Sequence, residues 1–137
     1  MEDFVPFEIA KKLKEKGFKE KCLCHYIGGD LIYNIESPIA YNQLLFSHNQ
    51  FTNIWHRDNI DAPTISQVLM WLRNERKIHI QIWANACGYI YIICDIPEEG
   101  ASDIYNSDYF GPNEGGAWDT YENCILAGIE YVLDNLI

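Results

Sequence analysis

The spacing of apolar residues divides the chain into helical and extended segments. Three segments repeat apolar residues at helical spacing, and these are residues 6–16, 64–76 and 120–136. Four shorter runs have the composition of β-strands, and these are residues 22–27, 31–35, 78–82 and 89–95. The pattern predicts an α+β fold with the order α-β-β-α-β-β-α. Its strands are joined as hairpins, which favours two layers, an antiparallel sheet with the helices packed on one face.

Local signals mark the ends of these helices. Pro6 suits a first helical turn, and Gly17 suits the position just past a helix. Thr64 and Gln67 have the spacing of a capping box, in which each side chain bonds the backbone of the other. Asp119 introduces the last helix. Gly128 lies inside that helix, where a glycine is costly, so we expect it to allow close approach to another element.

The strands differ in how they are buried. Isoleucines at 78, 80 and 82 alternate with polar or aromatic residues, which predicts one core face. Residues 89–95 are apolar throughout, which predicts a strand buried on both faces. Gly28-Gly29-Asp30 predicts a hairpin turn. Residues 36–61 and 96–117 are predicted as loops, the first with a short strand around Leu44-Leu45-Phe46. The predicted core residues are Leu13, Val68, Leu72, Ile80, Ile82, Ile92, Ile125, Ile129 and Val132.

Length and composition bound the molecule. The 137 residues fit a single domain, 1–137. No secretory signal or apolar span is apparent, which predicts a soluble, cytoplasmic protein with no membrane partner. The net charge is -10, and all ten bases lie in residues 1–77 together with ten acids, while residues 78–137 hold ten acids and no base. This distribution argues against nucleic acid as a partner, since phosphate contacts need lysine and arginine side chains.

Two groups of charged residues, one basic and one acidic, each have two interpretations. The six lysines between residues 11 and 21 form either an anion-binding stripe or the solvated face of a helix. The acids at the end of the last predicted strand and in the second loop form either a calcium site, without the EF-hand spacing, or a solvated acidic loop. Those acids are Asp95, Glu98, Glu99, Asp103, Asp108 and Glu114.

Five cysteines at irregular spacing predict reduced thiols and no disulfide framework. Cys22, Cys24 and His25 could be part of a zinc site completed by Cys87 or Cys94, but alternation along a strand puts His25 on the other face. The other interpretation is that they are buried strand residues. We expect no metal and no cofactor, so a chelator should leave the melting temperature unchanged. No local signature supports a cysteine nucleophile.

The far face of the predicted sheet is the candidate ligand or partner site. If the isoleucines face the helices, the residues that alternate with them face away from the helices. The next strand's tyrosines, or their neighbours, join that face and add rings and polar tips. The candidate residues are His79, Gln81, Trp83, Tyr89 and Tyr91. Such a face could bind a peptide, a base or a small ligand, or it could be covered by the two loops as a second small core.

Three segments resemble a small family of unknown function from gut bacteria and their phages and mobile elements. They are residues 7–18, the run 62–73 with 77–80 after it, and Thr120-Tyr121-Glu122 with its helical tail. The resemblance covers the helices and one strand, and the chain departs from it at 36–61. It implies a bacterial or phage origin and supplies no catalytic residue.

Size, surplus aromatic residues, one-sided acidity and the lack of a catalytic constellation favour a non-enzymatic protein-interaction module. Its partner is another protein or a second copy in a weak homodimer. The alternatives are a small-ligand-binding protein or small enzyme using the aromatic sheet face, and an acidic decoy of a nucleic-acid-binding protein.

Overall fold

The computed structural model describes residues 3–33, 60–96 and 102–137. In this part of the chain the elements are α1 (Phe7–Glu15), β1 (Cys24–Ile27), β2 (Asp30–Tyr33), β3 (Ile60–Ala62), α2 (Ile65–Glu75), β4 (Ile78–Asn85), β5 (Gly88–Asp95), β6 (Ser102–Asn106) and α3 (Tyr121–Asn135). The predicted α+β class, with antiparallel strands and helices packed on them, is confirmed. Each predicted hairpin gains a third strand, giving two three-stranded sheets, β2-β1-β3 and β4-β5-β6.

Contacts within the chain group into two compact units, Met1–Gln67 and Val68–Ile137. In the first unit α1 packs on β3. The β1–β2 hairpin turns at Gly28 and Gly29, which both have positive φ, as a two-residue turn of this type requires. The Tyr26 hydroxyl donates a 2.6 Å hydrogen bond to the carbonyl of Val5 and so ties the N-terminal segment to the sheet.

The predicted helix ends are mostly confirmed. Pro6 directly precedes α1, and Gly17 follows it with a φ of 91°. The capping box of α2 forms, because the Gln67 backbone donates to the Thr64 hydroxyl at 3.2 Å and the Thr64 backbone donates to Gln67 Oε1 at 2.9 Å. The start of α3 differs from the expectation. Thr120 is its cap and accepts from the backbone of Asn123.

The predicted core is confirmed at eight of its nine positions, and Ile82 is only half-buried. Ile82 lies near the end of β4, where burial declines toward the hairpin turn. Helix α2 buries Trp71 in addition to the predicted core residues Val68 and Leu72. Strand β5 is buried on both faces from Ile90 to Cys94, as its apolar run predicts.

Strand β6 corrects the prediction of a loop over residues 96–117. Its own sequence, Ser-Asp-Ile-Tyr-Asn, has little strand pattern, and four of its five residues are exposed. It forms because the backbone of β5 offers hydrogen-bonding groups along its second side, from Ile92 to Asp95. The short strand predicted around Leu44-Leu45-Phe46 lies outside the described residues.

Candidate functional site

After β6 the chain leaves the sheet and forms a ten-residue loop, which we call the 108–117 loop. Before it, the backbone N–H of Ser107 donates to the carbonyl of Tyr91 at 3.0 Å, and the backbone N–H of Tyr91 donates to the hydroxyl of Ser107 at 2.8 Å. After it, Trp118 exchanges two backbone bonds with Tyr89. The loop therefore leaves and rejoins the same side of β5 two residues apart. A compact loop with closely spaced ends is an Ω-loop, a type that is frequently functional.

Asn113 organises the inside of this loop. Its Oδ1 accepts from the backbone N–H groups of Gly115 and Ala117, at 3.0 and 2.9 Å. Its Nδ2 donates to the carbonyl of Cys87 at 2.8 Å and to Asp119 Oδ1 at 3.0 Å. These four bonds use the full capacity of the side-chain amide. They fasten the loop to itself and to the β4–β5 turn.

Two glycines let the loop close on itself. Gly116 has a φ of 71°, and a Cβ there would collide with the backbone of Tyr109. A Cβ on Gly111 would collide with the backbone of Ala117 in the same way. Gly111 also donates a 2.8 Å bond to the carbonyl of Gly116. Backbone packs directly on backbone here, so the loop has a defined shape.

This loop displays two aromatic side chains to solvent. Tyr109 is 88% exposed and Phe110 is 72% exposed. Tyr109 adopts a φ of 69°, which is uncommon for a bulky residue and has an energetic cost. Phe110 stacks on Tyr105, with centroids 6.4 Å apart, and Tyr105 stacks on Tyr131 of α3 at 3.8 Å. The Phe110 ring therefore packs on a ring of β6, which in turn packs on a ring of α3.

The surroundings of these rings are acidic. Asp108 and Glu114 lie in the loop and are exposed, and no lysine or arginine occurs after Lys77. Exposed aromatic rings bordered by carboxylates can accept a cationic side chain, since the ring face and the carboxylate both attract positive charge.

The five predicted site residues lie on two different faces of the second sheet. His79, Gln81 and Trp83 pair with Cys94, Ile92 and Ile90, so these residues share one face. Tyr91 pairs with Ile82, and Tyr89 pairs with Ala84, on the other face. The grouping of Tyr89 and Tyr91 with the other three is therefore wrong, and their neighbours Ile90 and Ile92 share that face instead, because directly opposite residues of adjacent strands point to the same side.

The two parts of that predicted site have different environments. Trp83 is 56% exposed, and its Nε1 donates to Gln81 Oε1 at 3.4 Å, while His79 is half-buried. Tyr91 is buried, with its ring centroid 5.3 Å from that of Trp118 and 6.4 Å from that of Tyr131. Burial raises the pKa of Tyr91, so its hydroxyl stays protonated at neutral pH. Among the five candidate residues, Trp83 is the one whose side chain is largely exposed.

The buried cysteines Cys22, Cys24 and Cys124 do not have the environment of a nucleophile. His25 lies directly opposite Asp61 in the β1–β3 register. Burial and the carboxylate of Asp61 hold the pKa of the Cys22 thiol well above its ordinary value of 9.0. Burial raises the pKa of Cys24 and of Cys124 to about 11. A nucleophilic cysteine needs a lowered pKa, so these thiols are suited to packing.

We predict that one thiol per native chain reacts quickly with a thiol reagent near pH 7.5. Cys87 is exposed in the β4–β5 turn, and the other four cysteines are buried. The reactive thiolate form is also scarce in Cys24 and Cys124 because their pKa values are raised. Titration of native and denatured protein should give one and five thiols, and Cys87→Ser should remove the fast one. Two or more fast thiols in the native chain would contradict the described burial.

Within residues 3–33, 60–96 and 102–137, no group of three or more His, Cys, Asp or Glu side chains could hold a metal ion. Of the acids considered for calcium, Glu98 and Glu99 lie outside these ranges. Asp103 accepts a 3.3 Å bond from the Cys94 thiol, and Asp95 accepts from the backbone of Ser102. Both carboxylates thus accept hydrogen bonds that join β5 to β6.

Sequence reasoning missed the 108–117 loop as a site. The available signal was an adjacent Tyr109-Phe110 pair inside a stretch rich in Asn, Gly and Pro. Adjacent rings in such a turn-rich stretch have no strand or helix to bury them.

None of the described helices is long and apolar enough to cross a membrane. The chain was compared with protein-family models, with curated proteins and with solved structures, and none of the three comparisons gave a match.

Proposed function

We propose that the chain is a non-enzymatic protein-interaction module whose contact surface is the 108–117 loop. The observation that supports this proposal is the pair of rings, Tyr109 and Phe110, exposed on a loop that is closed by hydrogen bonds. Aromatic side chains are enriched among the residues that dominate protein–protein binding energy. A loop of fixed shape also loses less conformational entropy on binding than a flexible one.

The size of this surface favours a transient contact. Each aromatic side chain buries roughly 150–250 Å² when fully covered. Two rings and their neighbours therefore bury less than the roughly 1,200–2,000 Å² typical of stable complexes. The chain would bind and release its partner rather than form a permanent assembly.

The test is photocrosslinking from the loop. Phe110→p-benzoylphenylalanine, produced in cells of the protein's own source and irradiated, should form an adduct with another polypeptide. The matched control is the same substitution at Met70, which is 54% exposed on α2. Position 110 should give the adduct and position 70 should not.

A second variant separates loop shape from ring exposure. Asn113→Ala is added to the chain that carries p-benzoylphenylalanine at position 110. It removes four hydrogen bonds of the loop but keeps the crosslinking residue, so the adduct yield should fall. No adduct at position 110, or equal adducts at 110 and 70, would refute the proposal.

The second candidate function is ligand binding at the face of His79, Gln81 and Trp83. The exposed indole of Trp83, with its Nε1 directed to Gln81, favours this face over that of the half-buried Tyr89 and the buried Tyr91. The same crosslinker at position 83 distinguishes the two surfaces. An adduct at 83 and none at 110 would favour this face, and a nucleic-acid-binding protein as the adduct would favour the decoy function.

A further inference from the structure

The chemistry of the 108–117 loop selects a class of partner. Its two rings are accompanied by the exposed carboxylates of Asp108 and Glu114, and the chain from residue 78 onward has no base to neutralise them. Lysine and arginine fit such a surface, because their apolar stems pack on the rings while the cation meets a ring face or a carboxylate. The complementary surface is therefore basic.

The same chain carries a basic surface of this kind on α1. Lys11 and Lys14 are exposed and lie three residues apart, so they are neighbours on one face of the helix. Residues 8–21 hold six lysines and three glutamates, which gives a local charge of +3. The inward face of α1 is occupied separately by Ile9, Ala10 and Leu13, which are buried.

We propose that the 108–117 loop of one copy binds the lysine face of α1 in a second copy. This inference rests on the proposed function, since it names the partner of the same loop. The complementary charges attract across the contact, and the rings add apolar area against the lysine stems. The contact is small and its charges are exposed, so the self-association is weak and is screened by salt.

Analytical ultracentrifugation of the full chain at high protein concentration is the test. The Debye length falls from about 30 Å at 0.01 M salt to about 3 Å at 1 M. The weight-average mass should exceed that of one chain, 15.9 kDa, at low salt and return to it at high salt. The double variant Tyr109→Ser/Phe110→Ser should give the mass of one chain at both salt concentrations.

Charge reversals locate the contact. Lys11→Glu should abolish the association at low salt. The matched control Lys77→Glu, which reverses the same charge on an exposed residue elsewhere, should retain it. Adding Asp108→Lys to Lys11→Glu reverses both sides of the contact and should restore it. Circular dichroism on each variant confirms that the fold is kept.

The outcomes separate this inference from the proposed function. A mass of one chain at both salt concentrations, a salt-resistant dimer, or equal loss in Lys11→Glu and Lys77→Glu would overturn the second-copy contact. The proposed function would still stand if position 110 crosslinked a different polypeptide. It would fall together with this inference only if position 110 formed no specific adduct.

Discussion

Leu72→Ala should lower the free energy of unfolding by about 2–5 kcal/mol. Leu72 is completely buried in α2, so the substitution removes apolar contacts and leaves a cavity that its neighbours fill only in part. Urea unfolding followed by circular dichroism measures the change.

The same helix supplies the control for this prediction. Met70 is 54% exposed, and methionine and alanine are both good helix formers. Met70→Ala should therefore change the free energy of unfolding by less than about 0.5 kcal/mol. If Leu72→Ala costs no more than Met70→Ala, α2 does not turn its Leu72 side inward as described.

Gly128→Leu should destabilise the protein by about 1–3 kcal/mol, although leucine is the better helix former. A Cβ at position 128 would lie 3.1 Å from Ile80 Cγ2 and 3.3 Å from Tyr91 Cγ, and a leucine adds three further carbons in that space. The helix propensity gain of roughly 1 kcal/mol does not offset this overpacking. Differential scanning calorimetry should show a lower melting temperature.

Asn123→Leu is the control for overpacking, because Asn123 is exposed in the first turn of α3 and donates to Thr120 only through its backbone. It should leave the melting temperature nearly unchanged. Gly128→Ala should fall between the two, since its single Cβ sits at the limit of contact while its helix propensity is favourable. A higher melting temperature for Gly128→Leu would show that α3 is not held against Ile80 and Tyr91.

The candidate site was predictable only in part. The alternation of residues 78–83 predicts that His79, Gln81 and Trp83 share a face, and they do. The sequence does not contain the register between β4 and β5, and that register puts Tyr89 and Tyr91 on the opposite face. A shift of one residue in register moves every side chain of a strand to the other face, so local pattern alone cannot group residues from two strands.

The sequence by itself determined the features that depend on a few neighbouring residues. The capping box of Thr64 and Gln67 and the turn at Gly28 and Gly29 both follow from local backbone chemistry. Tertiary structure decided the features that depend on distant backbone. Strand β6 exists because β5 offers it a pairing side. The shape of the 108–117 loop depends on Asn113 bonding to Cys87, 26 residues away in the chain. Hydrogen bonds between segments far apart in sequence leave no periodic trace in either segment, which is why the shape of this loop could not be predicted from the pattern of residues.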